Sequence, residues 1–109
     1  ATASASFALQ DGMPGGGSWS FVGHESASTD QLELIGEKGR LCFSVFTYNP
    51  IVLQTSNGHQ EITVPNPKHV QLPLIEQVVK HLQGQDICTS DCTSATSVNW
   101  VMDRILGKI

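Results

Sequence analysis

Cys88 and Cys92 stand four apart in Cys-Thr-Ser-Asp-Cys, and four histidines (His24, His59, His69 and His81) are spread through the chain. Thiolate and imidazole together are the donor set that zinc prefers. The spacing argues against such a site. A zinc knuckle needs a second ligand pair at similar spacing, Cys42 falls in an expected strand, and a redox pair would read Cys-x-x-Cys. No metal is expected. Gly15-Gly16-Gly17 lacks the Lys-Ser/Thr ending of a phosphate-binding loop, and no helix follows it, so it reads as a flexible hairpin tip. No Ser-His-Asp order, paired carboxylates or dinucleotide fingerprint stands out, so no catalytic residue is expected in these 109 residues.

What remains are side chains that can line a binding surface. Trp19 and Phe21 share one face of an expected strand. Trp19 is weighed as a pocket wall against a core aromatic, and the large apolar area of indole favours the core. His24 lies in the polar link His24-Glu25-Ser26, where a ligand or proton carrier competes with the commoner solvated imidazole. His69 lies between Pro67 and the first helix, where Asn66, Lys68 and Gln71 can converge with it at a sheet edge. A polar linker with capping duties is the simpler reading of that stretch. His81 falls on the polar side of its helix and is expected to be solvated. Trp19, Phe21, His24 and His69 are therefore the candidates for a substrate-lining surface.

The elements that must position them are organised around Asp30–Phe46. Leu32 and Leu34 alternate with Glu33 and Ile35, and Leu41 and Phe43 alternate with Cys42 and Ser44, the period of a strand. Gly36-Glu37-Lys38-Gly39 joins the two runs, and glycine can supply the positive φ that tight hairpin turns use. Both faces of this hairpin carry apolar residues, so both are expected to want cover. Before it come a strand over Thr2–Gln10, a turn over Asp11–Gly17 and a strand over Ser18–Gly23. After it come Ile51–Thr55, an Asn57-Gly58 turn of type I′, and His59–Val64, which Pro65 and Pro67 end.

The period then changes. Leu74, Ile75, Val78, Val79 and Leu82 recur at three and four, with Pro73 in the first turn and Gly84 at the C-terminal cap. A second helix carries Ala95, Val98, Val101, Met102 and Ile105 as its buried stripe, with Ser94 or a neighbouring threonine as N-cap and Gly107 closing it. Strands first and helices after give an α+β fold: a mainly antiparallel open sheet of about six strands, followed by two C-terminal helices packed on one face. Two helices shield only part of one face, and an apolar sheet face left open calls for a partner.

At 109 residues the chain is expected to be one domain. Its formal charge of −4, with scattered basic residues, disfavours nucleic acid and anionic membranes. No apolar run is long enough to span a bilayer, and the N-terminus lacks the pattern of a signal peptide. An odd count of 3 cysteines points to reduced thiols and the cytoplasm. The chain opens inside a strand, at Ala1–Leu9, which suggests a piece of something longer.

The residues also resemble a family. Asp30–Phe46, with Ile-Gly-Glu-Lys-Gly-Arg-Leu at its centre, is similar to a strand pair of the C-terminal domain of Gfo/Idh/MocA oxidoreductases. So is the order of an Ala/Ser-rich strand, a Gly-tipped turn, a Trp-x-Phe strand, this hairpin and a further hairpin. The run from His69 to Ile75 and the later Asn99-Trp100-Val101-Met102-Asp103 are similar to the end of one subgroup. The resemblance covers most of the chain and implies the later part of that domain only. It further implies a parent with a Rossmann domain, missing here, that binds NAD(P) and passes hydride to or from a sugar, inositol or related polyol. This domain would supply the substrate-side sheet and homo-oligomer contacts through its open face. Glu37-Lys38 sits in a hairpin and is not the family's catalytic Lys motif, and the helix carrying its acid/base group is missing. The resemblance thus implies no catalytic residue, no bound cofactor and no activity in this chain alone. The rival reading is a free-standing β-sheet dimerisation or binding module without catalysis.

Overall fold

The computed structural model describes residues 1–109 and shows the α+β order expected, six strands followed by two α-helices. The strands are β1 (Thr2–Ala8), β2 (Pro14–Ser20), β3 (Leu32–Gly36), β4 (Gly39–Phe43), β5 (Ile51–Thr55) and β6 (Gly58–Ile62). The helices are α1 (Leu72–Leu82) and α2 (Cys92–Ile105), and a single 3-10 turn covers Glu25–Ala27. All strand pairs are antiparallel, but they form two sheets, β1-β2 and β3-β4-β5-β6. The chain divides into two compact units, the first made of the segments Ala1–Ala27 and Glu76–Ile109, the second of Ser28–Ile75.

In the first segment β1 and β2 pair from Thr2 with Ser20 to Ala8 with Pro14. The glycine run is strand, not hairpin tip, and β2 ends before Phe21. Two rings explain this. A Cβ on Gly15 would stand 2.7 Å from Cζ of Phe7, and one on Gly17 would stand 2.9 Å from Cη2 of Trp19. The glycines are flat ground under aromatic side chains, which repairs the packing that glycine loses in a strand. The reversal itself sits earlier. Gly12 donates to the Leu9 carbonyl, Met13 N–H is held by the Asp11 carboxylate, and Gly12 takes φ +82°. Pro14 opens β2 at a sheet edge, where its missing N–H does no harm. In the same unit α2 lies against β1.

The second unit is a single-layer sheet. Its registers place Leu32, Leu34, Leu41, Phe43, Ile51, Leu53 and Ile62 on one face, with Thr55 and Gln60. The other face carries Glu33, Ile35, Arg40, Cys42, Val52, Gln54, His59 and Glu61. The two faces are therefore unequal: the first is mostly apolar, while the second is crossed by a Glu33–Arg40 ion pair and a His59–Glu61 contact of 3.5 Å.

The turns correct two expectations. Glu37-Lys38 turns without a positive φ, at either residue or at its flanking glycines. Gly39 is needed for space instead, because a Cβ there would overlap the Gln54 carbonyl oxygen on β5. The β5–β6 turn is centred on Ser56-Asn57, one residue earlier than a type I′ Asn-Gly turn, and only Gly58 takes positive φ, at +126°.

Both helices run where their periods place them, and Gly84 (φ +70°) and Gly107 (φ +68°) close them in the left-handed region. The N-cap of α2 is Asp91, not Ser94. The Asp91 carboxylate accepts from Ser94 N–H at 2.9 Å, and Ser94 Oγ accepts from Asp91 N–H at 3.1 Å. This is a capping box in which serine takes the N3 place usual for Glu or Gln. The stripes are formed but uncovered, since Val98 is 58% and Met102 52% exposed where burial was expected.

Candidate functional site

Trp19, Phe21 and His24 lie on one stretch of the first unit, and His69 lies in the other. Trp19 is half-exposed in β2, with its ring over Gly17. Phe21 follows the strand by one residue. Its N–H donates to the Ala1 carbonyl at 3.0 Å, and its ring is 82% exposed. His24 turns inward on its own loop. Its Nδ1 lies 2.9 Å from Ser26 Oγ and accepts from Ser26 N–H at 3.2 Å. An acceptor at Nδ1 puts the proton of the neutral ring on Nε2, so Nε2–H is the atom this histidine offers outward. His69 holds the approach to α1, where its carbonyl accepts from Leu72 N–H at 3.0 Å.

His81 is not merely solvated. Its Nδ1 accepts from Cys88 N–H at 3.1 Å and ties the loop after α1 back to the helix. Cys88 is the one buried residue of the chain, with Sγ at 3.8 Å from Gln77 Oε1 and 3.7 Å from the Ser90 carbonyl. Cys88, Cys92 and Cys42 are all free thiols, and no three His, Cys, Asp or Glu side chains converge as a ligand set.

The residue most engaged in the second unit carried no signal in the sequence. Asp30 spans 15 to 17 positions to accept from the N–H groups of Val45, Phe46 and Thr47. The Phe46 N–H is the main cause of a carboxyl held below the usual aspartate range; desolvation opposes it, and the Val45 and Thr47 N–H groups add to it. Asp91 is also held low, first by the Ser94 N–H. A polar residue before a strand is too common to flag Asp30, and its partners are too distant for any local pattern to show.

The four-stranded sheet presents one largely apolar face. Its outer strands are open, with Leu34 54% and Ile62 37% exposed. At one end of the sheet, the tips Gly36–Gly39 and Thr55–Asn57 border a shallow groove with Ile35, Arg40 and Gln54. Ile35, Arg40 and Gln54 stand on the face opposite the apolar one, so charge and amide groups gather on that side of the tips.

No helix is long and apolar enough to cross a membrane. No family profile matches the chain, and no solved structure matches it. Among curated proteins the chain is similar to "Oxidoreductase P35" of Formosa agariphila, 27% identical over 99 residues. That match takes in 91% of this chain and 30% of the relative, so the chain spans about a third of the length of the curated protein it matches. The likeness is distant and partial, and it is to an oxidoreductase.

Proposed function

We propose that the chain is the substrate-side and assembly portion of an NAD(P)-dependent oxidoreductase of the Gfo/Idh/MocA type. In this reading the parent enzyme, not this chain alone, acts on a sugar, inositol or related polyol in the cytoplasm. The observation that carries the reading is the single-layer sheet with one apolar face, in a chain similar to part of an oxidoreductase. A layer this thin does not close a core by itself, and its apolar face is stabilised by burial against a neighbour at about 25 cal/mol for each Å² removed from water. In this reading the neighbour is a second copy, giving a homo-oligomer through the open sheet face. A Rossmann domain elsewhere in the parent holds the cofactor and the acid/base group. Trp19 and Phe21 offer aromatic area, and His24 and His69 offer hydrogen bonds, on the substrate side.

The test is hydride transfer by the full-length protein with NAD or NADP and a panel of sugars, inositols and related polyols. Turnover is expected with one of these classes, with Trp19→Ala and His69→Ala raising KM more than they lower kcat. The exposed apolar face by itself also suits a free-standing β-sheet dimerisation or binding module. That reading wins if assembly through the sheet is observed and no NAD(P)-linked turnover occurs with any substrate in the panel.

A further inference from the structure

Asp30 precedes β3 and reaches across to the turn that leaves β4. Its Oδ2 accepts from Val45 N–H at 3.0 Å, Phe46 N–H at 2.6 Å and Thr47 N–H at 3.1 Å, and Oδ1 accepts from Val45 N–H at 3.2 Å. Successive backbone N–H groups converging on one point form a nest, a concavity that selects anions. Two further bonds close the turn behind it: Ser44 Oγ donates to the Thr47 carbonyl at 2.6 Å, and Asn49 Nδ2 donates to Thr47 Oγ1 at 3.1 Å. The turn carries Val45, Phe46 and Tyr48, which are 59%, 86% and 70% exposed. Side chains so exposed contribute little packing, so backbone bonds must fix the shape of this segment.

We propose that residues 45–47 form an oxyanion-binding nest filled by the chain's own Asp30 carboxylate, and that the emptied nest takes a free small carboxylate. Asp30 is then the positioning residue that fixes the backbone presenting Phe46 and Tyr48. This does not rest on the oxidoreductase reading.

The test follows the amide shifts and exchange of Val45, Phe46 and Thr47 in the full chain, with acetate titrated against chloride at constant ionic strength. In Asp30→Ala these three amides are expected to shift and to exchange faster. Acetate should return them saturably toward their wild-type positions, chloride should not, and wild type should respond to neither. Three unmoved amides in Asp30→Ala overturn the proposal, as does an acetate response that never saturates or that chloride reproduces. Asp30→Asn keeps the size and one acceptor but loses the charge. Intermediate shifts in this variant support a carboxylate-selective nest, and wild-type shifts overturn it, including where Asp30→Ala fails to fold.

Discussion

The ring of Phe7 lies over Gly15, its partner across the β1–β2 ladder, and occupies the place where any larger residue would put a side chain. Gly39 is crowded by a different kind of neighbour, the backbone carbonyl of Gln54. The two glycines should therefore tolerate a methyl group differently. Phe7 is half-exposed, and its ring can swing away. The Gln54 carbonyl belongs to the β4–β5 ladder and cannot move without loosening it. Gly15→Ala is expected to change stability by less than about 1 kcal/mol, whereas Gly39→Ala should cost about 1–3 kcal/mol, the range of overpacking. Urea unfolding of the two variants checks the order. Equal losses would mean that the carbonyl at Gly39 is not the constraint.

Asp30 makes stability depend on acid in a defined direction. Its carboxyl is held below the ordinary aspartate value, first by the Phe46 N–H, so the folded state favours the ionised form. The contribution is complete above the unfolded value of about 3.9 and is lost as pH falls through the lower folded value. Unfolding midpoints should therefore drop as pH is lowered from about 5 toward 2, and part of that drop should be missing in Asp30→Asn. Asp91, held low by Ser94, titrates in the same direction, so some acid sensitivity should remain in the variant. A pH profile unchanged by Asp30→Asn would contradict the assignment.

Thiol chemistry should report the tie between His81 and Cys88. Cys92 is exposed, Cys42 half-buried and Cys88 buried, so a disulfide reagent should label them in that order. Removing the His81 ring leaves the Cys88 N–H without its acceptor, a loss of about 1 kcal/mol for a hydrogen bond of this kind. His81→Ala is expected to speed labelling at Cys88 while leaving Cys92 unchanged, as read by mass spectrometry of the labelled peptides. An unaltered Cys88 rate would show that the loop is held by something other than His81.

The hairpin of β3 and β4 is legible in the sequence because Leu32, Leu34, Leu41 and Phe43 keep strict alternation, and strand period depends only on near neighbours. The helices are legible for the same reason, down to Gly84 and Gly107. Gly15–Gly17 is not, because what makes it a strand is a pair of rings, one of them contributed from across the ladder by Phe7. The β5–β6 turn shifts by a residue because Gly58 alone takes the positive φ and Asn57 does not. The N-cap of α2 falls on Asp91, three residues before the Ser94 expected, because aspartate caps as readily as serine and here the two residues bond each other. Among the candidate site residues, the sequence supplies types and a strand, while partners such as Ser26 for His24 appear only when the loop folds back.

Leu34 and Ile35 are consecutive on β3 and stand on opposite faces of the four-stranded sheet, both well exposed. Sedimentation velocity of wild type, Leu34→Glu and Ile35→Glu separates the faces directly. If the apolar face is where copies of the chain meet, wild type and Ile35→Glu should form a concentration-dependent oligomer, and Leu34→Glu should be monomeric with unchanged far-UV circular dichroism. A wild-type chain that stays monomeric at high concentration, or an oligomer indifferent to Leu34→Glu, would contradict assembly through that face.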